Sequence, residues 1–242
     1  MGLGFVNHAV ARTGEGTPKA GRSFAPSKNS IVIEQRGHHV SAPTKVGKHL
    51  AYAPPASKTN ATTVIYLHGA HGLAEKGCPW MRSGASEVGW LVCPEAINHD
   101  RSGTWSWGAD VAAQGVVVDD ALSAARHEGA SNEPGVAVGF SQGSYVALDL
   151  LKTGRAKFRG LVLLGAEMHP SPERLREAGV ERIVLGAGEQ DASYAPLKEA
   201  ASKMSIAGLE VRFVDLGKVG HTYAAENTDA LRDAIAWAGG AQ

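Results

Sequence analysis

A serine between two glycines, flanked by a stretch built for a buried strand and one built for a helix, limits the fold of this chain more than any other feature. Gly139-Phe-Ser141-Gln-Gly143 is a G-x-S-x-G pentapeptide. With 30 glycines in 242 residues such a pentapeptide can arise by chance, so its flanks carry the argument. Gly135-Val-Ala-Val-Gly139 is short, apolar and β-branched, as a parallel strand buried on both faces should be. Tyr145-Val-Ala-Leu-Asp-Leu-Leu151 is apolar enough for a packed helix. Strand, sharp turn and helix make a nucleophile elbow, in which the glycines let the backbone turn tightly and Ser141 is pushed to the top of the sheet.

The rest of the chain repeats that alternation. Predicted strands cover Ala61–Leu67, Trp90–Glu95, Phe158–Leu164, Glu181–Gly186 and Leu209–Asp215. Predicted helices cover Pro79–Val88, Ala109–Glu128, Ser171–Ala178 (capped by Ser171, with Pro172 at its start), Tyr194–Ile206 and Ala225–Ala238. Strands and helices in turn, joined by short connections, specify a doubly wound, mostly parallel sheet with helices on both faces. The link from Leu164 to Arg182 is too short for a lid domain. Ser30–Glu34 and Lys45–Tyr52 read as two strands of an entry hairpin or of a sheet edge, with His38 and His39 solvated in the connection. Residues 1–29 are rich in Gly, Pro, Ser and Lys without apolar period and read as a mobile tail, leaving a single domain over 30–242.

Composition excludes several function classes. Lys plus Arg and Asp plus Glu are both 24, which leaves no field for nucleic acid or an anionic bilayer. No apolar run reaches the roughly 20 residues of a membrane span. The amino terminus lacks a signal-peptide core, and Met1-Gly-Leu-Gly-Phe-Val6 has Val where a myristoylation site needs Ser or Thr. The expectation is a cytoplasmic protein. Cys78 and Cys93 lack metal or redox spacing and are either two buried thiols or, because both fall near one sheet edge, a disulfide that would indicate an exported chain. No metal and no cofactor is expected.

A serine hydroxyl needs an adjacent base, and the base an acceptor that fixes its tautomer. In an open α/β sheet such groups gather in loops at the carboxyl ends of strands. Gly186-Ala-Gly-Glu-Gln-Asp191 and Leu216-Gly-Lys-Val-Gly-His221 both follow predicted strands. The order Ser141, Asp191, His221 is that of one known arrangement of the triad. Glu189 and Asp215 compete with Asp191 for the acid. Upstream, His68-Gly-Ala-His-Gly72 can aim backbone N–H groups at a developing anion, although a plain strand-to-helix turn also favours glycine. His68 reads as positioning that loop and His71 as a substrate contact. Trp105 and Trp107, in an extended loop over Ile97–Gly108, suggest a pocket wall or a cover for the sheet edge. Asp119 and Asp120 read as solvated or structural.

From about residue 61 to 238 the chain resembles an α/β-hydrolase fold serine esterase. It is most similar to the phospholipase/carboxylesterase group, which includes acyl-protein thioesterases and relatives of polyhydroxyalkanoate depolymerases. Leu67-His-Gly69, the elbow, Gly188-Glu-Gln-Asp191 followed by Ala195-Pro196, and Gly220-His221 carry the resemblance. It implies Ser141 as nucleophile, His221 as general base and then acid, Asp191 as the orienting carboxylate, and an oxyanion hole from the N–H groups of Gln142 and Ala70. It implies hydrolysis of short or medium acyl esters or thioesters, with a small-molecule ester as the partner. The chain departs from the group at His68-Gly-Ala-His-Gly72 and at Ser144, where the thioesterases commonly have Gly. A peptidase on the same fold and a catalytically silent binding module are the alternatives.

Overall fold

The computed structural model describes residues 30–35, 38–43, 48–55, 61–223, 225 and 228–241; the expected tail over 1–29 lies outside them. In chain order the strands are β1 (Ser30–Gln35), β2 (His38–Pro43), β3 (Lys48–Tyr52), β4 (Thr62–Leu67), β5 (Gly89–Pro94), β6 (Asn98–His99), β7 (Trp105–Ser106), β8 (Gly135–Phe140), β9 (Phe158–Leu164), β10 (Arg182–Ala187) and β11 (Glu210–Asp215). The helices are α1 (Ala74–Val88), α2 (Val111–His127), α3 (Gln142–Lys152), α4 (Pro172–Glu177), α5 (Tyr194–Ile206) and α6 (Thr228–Ala238).

Nine strands form one sheet in the order β11-β10-β9-β8-β4-β5-β3-β1-β2. From β11 to β5 every neighbouring pair is parallel, and β3 runs antiparallel to β5. The chain steps from β4 to β5 in one direction and then from β8 outward in the other. The carboxyl ends of β4 and β8 therefore flank the point where strand order reverses, the place where such sheets hold ligands.

The strands are hydrophobic on both faces because both are covered. Ile65 and Leu67 of β4 pack with α2, α3 and α5 on one side, and Val64 and Tyr66 pack with α1 and α6 on the other, as the two-residue period of a strand requires. Cys78 of α1 and Cys93 of β5 are both fully buried and joined in a disulfide, with Cα atoms 6.0 Å apart; the reading as two separate thiols is set aside. Among the described residues no helix is long and apolar enough to cross a membrane.

The edge differs from the sequence reading. β1 pairs with β3 in parallel rather than as a hairpin, and its antiparallel partner is β2. His38 and His39 open β2 instead of lying in a connection. As the outermost strand, β2 is paired on one side only, so Pro43 at its end removes no ladder bond a neighbour needs. Helix α1 starts at Ala74, ahead of the predicted Pro79, which sits inside it. The Ile97–Gly108 segment is a small ribbon of antiparallel β6 and β7, and Asp110 caps α2 by accepting from the N–H groups of Ala112 and Ala113 at 2.9 and 3.1 Å. Asp120 on α2 meets His49 at 3.2 Å, a structural contact.

Candidate active site

Ser141 connects β8 to α3 with φ 53° and ψ −119°, a backbone state that a residue with a side chain holds only when its surroundings enforce it. Two close approaches enforce it. A Cβ on Gly139 would lie 2.5 Å from the Ser144 backbone, and one on Gly143 would overlap the Leu67 carbonyl of β4. Strand and helix are thus pressed together more tightly than any other residue allows. The Ser141 N–H donates to Leu164 O at 2.8 Å. Ser144 is fully buried, and its hydroxyl bridges the same residue, donating to Leu164 O and accepting from Leu164 N, both at 3.1 Å. Ser144, a departure at the sequence level, therefore ties the elbow to β9 where glycine could not.

The candidate acid and base come from neighbouring loops. Asp191 follows β10 and His221 follows β11. Asp191 Oδ2 accepts from His221 Nδ1 at 2.6 Å, and its Oδ1 accepts from the Ser193 N–H and hydroxyl, each at 2.9 Å. Burial acts to raise the Asp191 carboxyl, but the bonds from the Ser193 N–H, His221 and the Ser193 hydroxyl outweigh it and hold the group below the usual carboxylate range. A carboxylate on Nδ1 fixes the proton there and leaves Nε2 as the basic nitrogen. The two loops are stitched by Glu189 N to Gly217 O (2.8 Å) and Gln190 N to Val219 O (3.0 Å). Of the competing acids, Glu189 is exposed and Asp215 accepts from Tyr194 Oη at 2.8 Å and Gly217 N at 2.7 Å; neither contacts the imidazole.

These parts meet around Ser141. A Cβ on Gly69 would touch the Ser141 Cβ at 3.1 Å, and one on Gly165 would lie 3.2 Å from His221 Cε1 and 3.4 Å from Asp191 Oδ2. The Phe140 ring, adjacent to Ser141, packs 4.8 Å from the His221 ring and 4.7 Å from that of Tyr223. Beneath them the Tyr223 and Tyr66 hydroxyls bond at 3.2 Å, and burial pushes the Tyr66 phenol up to about 12, so both stay neutral. The Ser141 hydroxyl makes no hydrogen bond among the described residues. In free enzymes such bonds are long and tighten with substrate bound.

The loop after β4 is held from below. His68 is 1 % exposed. Its Nε2 accepts from Ala96 N at 3.2 Å, so the ring proton is on Nδ1 and donates to Gly69 O at 2.8 Å. Burial pushes this imidazole below its ordinary value, and His68 is a neutral strut, as its sequence position suggested. Trp107 is the larger brace. Its indole N–H donates to His68 O at 2.9 Å, and its backbone N–H donates to Gln142 Oε1 at 2.9 Å. Fully buried, it offers no surface to a substrate, which corrects its reading as a pocket wall. Trp105 is half-buried, its ring 4.6 Å from that of His99, and its backbone pairs with Gly72.

The N–H groups of Ala70 and Gln142 donate to no acceptor among the described residues; Gln142 directly follows Ser141, and Ala70 follows Gly69, which lies against the Ser141 side chain. Next to Ala70, His71 is at φ 54°; it and Ser141 are the non-glycine residues of positive φ among those described. The His71 N–H donates to Ser106 Oγ at 3.0 Å, and its Nδ1 meets Asp100 Oδ2 at 2.9 Å. Asp100 also gathers the Ser102 hydroxyl (2.6 Å), the Thr104 hydroxyl (2.6 Å), the Ser102 N–H (2.9 Å) and the Thr104 N–H (3.0 Å), and these bonds hold its carboxyl far below the usual range. The His71 side chain is 75 % exposed, and its Nε2 has no hydrogen-bond partner among the described residues. Sequence reading missed Asp100, although Asp100-Arg-Ser-Gly-Thr104 carries the turn signal of an Asp bonding its own backbone two residues on.

No family model and no curated protein matches the sequence. Among solved structures, an uncharacterised Bacillus cereus protein superposes with a TM-score of 0.63 at 16 % identity, over 75 % of this chain and 61 % of that one; the chain thus spans less than two thirds of that protein. The Bacillus cereus carboxylesterase gives a TM-score of 0.59 at 17 % identity, over 79 % of this chain and 94 % of that one. A thermostable esterase from Pseudomonas putida gives 0.55 at 14 % identity, over 87 % and 80 %. With the strand order, the switch point and these superpositions together, the chain has the α/β-hydrolase fold.

Proposed function

We propose that the protein is a carboxylic ester hydrolase that works through an acyl-enzyme on Ser141. The observation that carries the reading is the 2.6 Å Asp191–His221 pair, whose imidazole packs on Phe140, the residue before the serine at the strained turn between β8 and α3. Esterases among the structures of like fold support the reaction class. His221 Nε2 takes the Ser141 proton as Oγ attacks the ester carbonyl, and the N–H groups of Ala70 and Gln142 receive the oxyanion. Collapse of the tetrahedral species expels the alcohol with the proton from His221. Water, deprotonated by the same nitrogen, then releases the acid and frees Ser141. Asp191 stays ionised throughout. His71 and Trp105, at the rim of the crevice, are the proposed substrate contacts, and a thioester enters by the same steps.

Ser141→Ala tests this. It should abolish turnover of p-nitrophenyl acetate and butyrate and remove labelling by a fluorophosphonate probe; a wild type that the probe leaves unlabelled would favour a silent binding module. A series of p-nitrophenyl esters of rising chain length beside an acyl-CoA separates ester from thioester preference. The buried Cys78–Cys93 bridge supports an oxidising compartment in place of the cytoplasm, and alkylation under non-reducing conditions, adding no label to the unfolded chain, is the expected result.

A further inference from the structure

A second concave site lies along α3, and its lining includes none of Ser141, Asp191 and His221. It is a groove of about 1050 Å³, a size in the range of small-molecule sites. One wall is a single stripe of α3, with Tyr145, Leu148, Leu151 and Lys152 at helical spacing. Phe158, the first residue of β9, forms the floor, and the segment from Met168 into α4 forms the far wall. From Tyr145 to Lys152 the helix rises about 10 Å, room for an extended alkyl chain of medium length. Tyr145 Oη donates to Glu167 O at 2.7 Å, which fixes the ring at the end of the stripe nearer Ser141 in the chain.

The lining has two characters. Leu148, Leu151, Phe158, Met168 and Leu175 give an apolar base. The rim carries Lys152, Lys157 and Arg174 against the single acid Glu177. Lys152 is neutralised by Asp149 at 3.0 Å, but among the described residues neither Lys157 nor Arg174 has a carboxylate within ion-pair distance. In a chain of zero formal charge this is a local excess, fixed beside a greasy trough. Lys157 directly precedes β9, so its charge sits at the end far from Tyr145. We infer that the groove binds an amphipathic carboxylate, its alkyl chain on the apolar base and its anionic head between Lys157 and Arg174. Such a molecule is of the class that an ester hydrolase releases, although the binding itself does not depend on the assignment of Ser141.

Decanoate is the probe, titrated calorimetrically into the full chain carrying Ser141→Ala, with and without Lys157→Glu plus Arg174→Glu. Both substituted side chains are exposed, so the fold tolerates them. One decanoate should bind per chain, and charge reversal should weaken it roughly tenfold or more, the scale of two exposed ion pairs replaced by repulsion. The reversed variant should instead gain affinity for decyltrimethylammonium. In the background with Ser141 intact, the two reversals should leave kcat/KM on p-nitrophenyl butyrate unchanged, so loss of esterase activity and loss of groove binding are read separately. Absence of decanoate binding, binding indifferent to the reversals, or inorganic phosphate alone competing at equal concentration would overturn the inference. So would sedimentation of the protein as a dimer that the reversals dissociate, because the groove would then be a contact between copies of this chain.

Discussion

Trp107→Phe isolates the brace under the loop after β4. The substitution keeps the backbone N–H that reaches Gln142 Oε1 and removes only the indole donor and part of the ring. His68 O, in a residue 1 % exposed, then loses its partner at a place water does not reach, which costs about 1–3 kcal/mol. The two ring carbons that Phe lacks add about 1.5 kcal/mol at ~0.8 kcal/mol per buried carbon. Together the loss is about 2.5–4.5 kcal/mol, a large share of the ~5–15 kcal/mol that holds a domain folded. Urea unfolding reads it as a lower midpoint at unchanged slope. Because the loop carries the Ala70 N–H, kcat on p-nitrophenyl butyrate should fall by more than KM rises. A stability loss under about 1 kcal/mol with kcat intact would show that the loop is held by something other than the indole, and would refute the role given to Trp107.

Asp191→Asn should lower kcat by about 10³–10⁴-fold with little change in KM, since the amide no longer fixes the Nδ1 proton; activity within tenfold of wild type would return Glu189 or Asp215 to contention. His71→Gly should be more stable than His71→Ala by about 1 kcal/mol, because both lose the Asp100 contact and only Ala keeps the left-handed strain; equal midpoints would mean that residue 71 is not held at positive φ in solution. His68 has a folded value below its unfolded one, so the unfolded chain takes up the proton first. The stability present above about pH 6.5 is therefore lost as pH falls through the lower folded value. Urea midpoints should drop across that window in the wild type and drop less in His68→Asn.

How much of this was readable from the sequence depended on whether a residue's partners are near it in the chain. The elbow was legible because strand, glycines and helix are contiguous around Ser141, and the periods of the flanking segments fix their elements without tertiary information. The choice among Glu189, Asp191 and Asp215 rested on the resemblance, since Glu189 and Asp191 share the loop after β10 and Asp215 ends β11; what separates them in the structure is that the chain turns at Asp191 so that Ser193 bonds Oδ1 and leaves Oδ2 for His221. Trp107 was misplaced for a related reason. Nothing within the Ile97–Gly108 loop says which of its two tryptophans turns inward, because the partners that hold Trp107, His68 O and Gln142 Oε1, are 39 and 35 residues away in the chain. The edge was legible as strand but not as pairing, because the register and direction of an outer strand are set by the strands it meets and not by its own pattern.

The two strained backbones, at Ser141 and His71, follow the neighbouring strands β8 and β4, and each is held by contacts that a relaxed conformation would break. For Ser141 these are its own N–H to Leu164 and the close passage of Gly143 over Leu67. For His71 they are the Ser106 and Asp100 bonds. Strain of this kind costs about 1–3 kcal/mol at each residue, and a sequence selected for stability alone would place glycine at both positions. Glycine at 141 would remove the hydroxyl on which the proposed acyl transfer depends, and glycine at 71 would remove the imidazole. The proposed function accounts for the first. The second has the same logic, and it argues that the imidazole of His71, held at Nδ1 and open at Nε2, is kept for what it meets in the crevice and not for the fold.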